Sequence, residues 1–99
     1  MSYEEFYKKF IESLSTNNPP TGLSSELLAL WHDHQNNCEE AHKVAQENEG
    51  TICDLVHAYL HRKEGDNVNA RYWYRQAGRK FARVSLQDEW QALVKEFCL

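Results

Sequence analysis

Apolar residues recur at helical spacing along this chain, and a turn signal stops each run before a long helix can form. Tyr3, Phe6, Tyr7, Phe10, Ile11 and Leu14 fall on one helical stripe. The stretch Ser15-Thr16-Asn17-Asn18-Pro19-Pro20-Thr21-Gly22 cannot continue it. Its prolines lack the amide proton, and its small polar residues compete for backbone hydrogen bonds. Further runs follow, separated by Asn36-Asn37, Glu49-Gly50, Gly65-Asp66 and Gly78. No stretch alternates with period two for long enough to make a strand. The pattern predicts an all-α fold of about six helices, since each short amphipathic segment must bury its stripe against another helix.

The expected boundaries follow from capping chemistry. The second helix runs from about Ser24 to Gln35, with Leu27, Leu28, Leu30 and Trp31 apolar. Asn37 caps a third, and Glu40 three residues on completes a capping-box spacing. Glu49-Gly50 ends it, and Thr51 caps a fourth helix that continues to Lys63. Asp66 or Asn67 caps a fifth containing Ala70, Trp73, Tyr74 and Ala77. Ser85 caps a sixth, with Leu86, Trp90, Leu93, Val94 and Phe97 on one face. Residues 1–15 then form an amphipathic arm, 16–22 a linker, and 23–99 a helical domain. The 99 residues suffice for one such domain.

The helices also repeat. Ala41 follows Ala29 by twelve residues, and Ala70 follows Ala58 by twelve. Ala92 lies 34 residues beyond Ala58, and Ser85 lies 34 beyond Thr51. These spacings resemble the tetratricopeptide repeat, a helix-turn-helix unit whose small residues sit where two antiparallel helices cross. The segment from Lys63 to Gly78, with Gly-Asp, Ala, Trp-Tyr, Arg and Ala-Gly in order, is similar to the Sel-like variant. The likeness covers roughly Leu23 to Leu99, with Thr51–Val84 the best unit. The first unit is shorter, with a period of 29, and the last has only its first helix. The Trp-His-Asp and Leu-His-Arg-Lys-Glu-Gly-Asp motifs also resemble a small bacterial family, a resemblance that implies no activity. The repeat implies antiparallel hairpins stacked as a short solenoid or bundle. Its first helices would line a concave groove through Leu30, Asp33 and His34, then Leu55, Tyr59, Arg62 and Lys63.

Such a groove points to a protein- or peptide-binding module. Arg62 and Lys63 are donors that clamp a carboxylate, although cations in a last turn also complement the helix dipole with no partner at all. The net charge of −4 conceals a division. From His61 to Arg83, seven Lys/Arg stand against two Asp/Glu, a balance of +5, so the remainder carries −9. That split suggests self-association, with the basic row meeting the acidic part of another copy in a homodimer. Arg71, Arg75, Arg79 and Arg83 are the phosphate or anion candidates, and through them nucleic acid is a further reading. The acidic total weighs against nucleic acid. Trp73 and Tyr74 sit at packing positions rather than on a stacking platform.

All five histidines lie between positions 32 and 61. His57 and His61 are one helical turn apart, which can hold a metal, and His32 could add a ligand. No complete metal signature is present, so no cofactor is expected from sequence. The repeat register instead turns His32, His57 and His61 inward, bonded to Tyr74, Tyr72, Asp33 or backbone. A pH sensor is a third option. A small-ligand or anion site would draw on His32, Asp33, His57, Tyr59, His61, Arg62 and Lys63. No phosphate loop or nucleophile elbow supports an enzyme, and a binding role is favoured. Cys38, Cys53 and Cys98 lack CxxC spacing and suggest free thiols in a reducing, cytoplasmic setting. No apolar leader or membrane-length run is expected to direct the chain to a bilayer.

Overall fold

A computed structural model describes residues 3–47 and 50–98. Its elements are α1 (Tyr3–Ser13), α2 (Ser25–His34), α3 (Cys38–Glu47), α4 (Thr51–Lys63), α5 (Asn67–Gln76) and α6 (Leu86–Cys98), with no strand among the described residues. The chain is all-α. The expected stop at Glu49 lies outside the described residues, as does the side chain of Tyr3 on the first stripe.

Three helices end in the same way. After α2, Asn36 takes φ 62°. Its amide then donates to the Asp33 carbonyl, and the Asn37 amide to that of His32. Gly65 (φ 84°) and Gly78 (φ 71°) repeat the arrangement after α4 and α5. The Asp66 amide reaches the His61 carbonyl, and the Arg79 amide that of Tyr74. The left-handed residue reverses the chain while the otherwise orphaned carbonyls stay bonded. Helix starts are fixed by side chains: Asn37 Oδ1 accepts from the Glu40 amide at 3.2 Å. Asp66 Oδ1 accepts from Asn69 at 3.3 Å and Ser85 Oγ from Asp88 at 3.0 Å. The expectation for Thr51 needs correction. Gly50 (φ 127°) holds the cap position, and Thr51 is the first helical residue, so its hydroxyl is displaced from the geometry of a cap.

Short turns make α2/α3 and α4/α5 antiparallel hairpins, and α3 packs against α4. Ala29, Ala41, Ala58 and Ala70 are fully buried within these hairpins. The next connection behaves differently. Residues 77–85 carry α6 away from α5, to lie across α2 and α4. Among the described residues, the backbone of α5 therefore packs against α4, and α5 meets α6 through the Tyr74 side chain. Instead of lengthening the stack, α6 closes a bundle. Its Trp90 indole donates to the Leu30 carbonyl at 3.1 Å.

The arm packs on its own chain. Phe10 is buried, its ring 6.1 Å from that of Trp90. Burial of such a side chain contributes about 1.5–3 kcal/mol. The Trp31 indole donates to Ser13 Oγ at 3.0 Å, and the Gln35 amide to the Leu14 carbonyl at 2.7 Å. Among the described residues, no helix is long and apolar enough to cross a membrane.

Candidate functional site

Helix α4 carries polar side chains on two sides, and the two sides differ chemically. Toward α2 and α6 it presents Tyr59, Arg62 and Lys63. Lys63 Nζ stands 2.8 Å from Asp33 Oδ1, and the Tyr59 hydroxyl donates to Asp33 Oδ2 at 3.1 Å. Arg62 donates to Glu89 Oε1 at 2.7 Å and also to the Val84 carbonyl. The Tyr74 hydroxyl donates to Glu89 Oε2 at 2.5 Å. Asp33 and Glu89 are only 2% and 5% exposed, so each carboxylate is desolvated, and each has a cation and a phenol in compensation. Burial, reinforced by the adjacent carboxylates, pushes both phenols far above the ordinary tyrosine range.

This arrangement corrects the expected carboxylate clamp. Arg62 and Lys63 already hold carboxylates of their own chain, and Leu30, Leu55 and Tyr59 are buried. On this side α6 packs across α2 and α4, and the arm is tied to Trp31 and Gln35 of α2 and its cap. What remains is an open depression of about 400 Å³ bordered by Ile11, Leu14, Asp33, Lys63 and Trp90.

Toward α3 and α5, α4 presents His57 and His61. His42 reaches them from α3, and one ligating atom from each ring lies within 4.8 Å of the others. The ring centres of His57 and His61 are 4.6 Å apart, and those of His42 and His61 5.1 Å. The Trp73 indole stacks on His57 at 4.2 Å and closes the inner side. His57 Nε2 and His61 Nε2 are 3.0 Å apart, a spacing at which two imidazoles share one proton. His42 Nε2 lies 2.5 Å from Glu64 Oε1. His61 Nδ1 is buried with no hydrogen-bond partner, and the nearest carboxylates, of Glu64 and Asp66, are 3.7 and 3.8 Å away. Burial, with His61 and His42 as neighbours, lowers the His57 pKa to about 4, so the ring is neutral at neutral pH.

The histidine partners expected from sequence are engaged elsewhere. Tyr74 is bonded to Glu89, Asp33 to Tyr59 and Lys63, and Tyr72 is exposed. His32 also stays apart, its ring edge-on to Trp31 at 5.4 Å, and His42 takes the third place. Two of the residues that matter here escaped sequence reasoning. His42 belongs to a different helix, and only the α3–α4 packing brings it in. Glu89 had a legible signal, for it is an acid inserted in the apolar stripe Leu86, Trp90, Leu93.

Of the basic candidates, Arg71, Arg75 and Arg79 border one shallow depression with Tyr74 and Phe81. Arg71 lies over the Phe81 ring at 5.7 Å, and Arg79 pairs with Glu96 at 2.6 Å. Arg71 and Arg83, with Arg62, border an open depression of about 610 Å³. On α5, beside Arg71 and Arg75, Val68 is 77% and Tyr72 51% exposed. Comparison of the chain with family models, curated proteins and solved structures gives no match.

Proposed function

We propose that this protein is a small helical interaction module that associates with a second copy of itself through the outer face of α5. The supporting observation is that α5 packs its inner face on α4, with Tyr74 reaching α6, and turns Val68, Tyr72, Arg71 and Arg75 outward together. In a repeat stack the next helix would cover such a face. Here α6 lies across α2 and α4, meets α5 through the inward Tyr74, and leaves the outer face open. An apolar pair flanked by cations suits an acidic surface with some apolar character. The rest of the chain supplies one: it carries −9, with Glu4 and Glu12 on α1 and Glu39 and Glu47 on α3 exposed.

Sedimentation equilibrium of the untagged chain tests this reading. A dimer at low ionic strength should loosen as salt rises, because exposed charges are screened beyond a Debye length of about 10 Å at 0.1 M. Arg71→Glu with Arg75→Glu should leave a folded monomer. A monomer at every ionic strength would retire the proposal, and so would a dimer indifferent to that double substitution.

A further inference from the structure

We infer that His42, His57 and His61 bind one divalent transition-metal ion, with zinc the reference ion, and that Glu64 positions the His42 ring. The inference is independent of the proposed self-association and uses the opposite side of α4 from the ion-paired network.

The donor set fits the ion. Imidazole nitrogen suits zinc, copper, nickel and cobalt, and three protein ligands leave a fourth position for water. Two nitrogens bound to one tetrahedral zinc at about 2.0–2.1 Å are roughly 3.3 Å apart. His57 and His61 nitrogens already stand at 3.0 Å, and side-chain rotation brings the third donor in from within 4.8 Å. The helix spacing explains the near fit: His57 and His61 are i and i+4 on α4. Ala41 and Ala45, buried on α3 around His42, allow the third ring a close approach.

The cluster is also poorly explained as a structural network. A buried polar atom without a partner costs stability, and native structures hold few of them. His61 Nδ1 is one. With Nε2 on an ion it would carry the ring proton, and Glu64 and Asp66 stand 3.7 and 3.8 Å away to accept its hydrogen bond after a small shift. On the other side of α4, every buried carboxylate is satisfied. The shared proton between His57 and His61 marks a place where a cation would bridge the same two lone pairs. His42 and His61 keep 17% and 16% of their side chains exposed, which leaves a route of entry from solvent. Glu64 lies on that exposed side, close enough to accept the remaining N–H of His42. A carboxylate of this kind fixes the tautomer and the orientation of a ligating ring.

The test is metal binding by the full untagged chain after chelation, using zinc by calorimetry and cobalt by visible absorption. One ion per chain at micromolar affinity or tighter is expected. A hundredfold zinc excess over Kd should raise Tm by roughly 10–20 °C. Bound cobalt should show tetrahedral ligand-field bands without a thiolate charge-transfer band, which sets the histidine site apart from binding at Cys38, Cys53 or Cys98. His42→Ala and His61→Ala, both at partly exposed positions, should weaken zinc at least a hundredfold while the helical circular dichroism is kept. Glu64→Gln should weaken it about 10–100-fold with unchanged stoichiometry. His32→Ala and His34→Ala should change nothing. Absence of zinc uptake in the folded chain, or affinity that survives both His42→Ala and His61→Ala, would overturn the site. If the alanine variants unfold, His42→Gln and His61→Gln with the cobalt spectrum give the same decision.

Discussion

The two polar sides of α4 start from similar material and end in opposite states. On one side Tyr59, Arg62 and Lys63 meet Asp33 and Glu89, and each buried carboxylate has both a cation and a phenol donor. On the other, three histidines crowd together with the half-exposed Glu64 hydrogen-bonded to His42 alone of the three, and one nitrogen is unpartnered. A carboxylate cannot be buried uncompensated, so the first side had to be completed within the chain. An imidazole can be buried neutral, so the second side could be left unfinished. The completed side holds α2, α4 and α6 together, and the unfinished side is free to accept a ligand.

The largest test of that contrast is Glu89→Ala. It strands the Arg62 guanidinium and the Tyr74 hydroxyl between α4, α5 and α6. A loss of about 3–5 kcal/mol is expected in denaturant unfolding. A loss below about 1 kcal/mol would mean that the network does not hold the bundle closed.

A smaller effect is expected at high pH. Tyr59 and Tyr74 are held far above their ordinary value of about 10, chiefly by burial. Their neutral form is favoured in the folded state, so the stability is present below pH 10 and is lost as pH rises above it. These two phenols should show no phenolate absorbance until the chain unfolds. Tyr59→Phe should flatten the fall of stability with alkaline pH, and an unchanged slope would break the link to burial.

The smallest effect belongs to the histidine side. His61→Leu takes the partner from His57 Nε2, and in compensation removes an unpartnered buried nitrogen and adds apolar surface to the interior. In metal-free protein these terms nearly cancel, and a change within about 1 kcal/mol is expected by thermal unfolding. The zinc-induced rise in Tm should disappear in the same variant. A metal-free loss comparable to that of Glu89→Ala would make the two sides of α4 alike.

Much of the fold was legible in the residues. The prolines at 19 and 20, the caps Asn37, Asp66 and Ser85, and the stops at Gly65 and Gly78 are local devices that act within a few residues. The alanine spacing carried the hairpins, since small side chains are needed wherever two helices cross closely. The candidate site was legible only in part. His57 and His61 share a helix face by spacing alone, whereas His32, which the sequence also offered as a ligand, points elsewhere. Arg62 and Lys63 looked like free last-turn donors because their partners are 27 and 30 residues away in the chain.

The sequence by itself determined the helices, their ends and the existence of a charged, histidine-bearing α4, because these depend on backbone geometry and on neighbours within one turn. Tertiary structure alone decided that α6 closes against α2 and α4 instead of covering α5. It thereby assigned Asp33 and Glu89 to the cations of α4, and it brought His42 to His57 and His61. The reason is physical. Propensity and capping act over a few residues, but which helices share a buried face depends on how the whole apolar surface is removed from water.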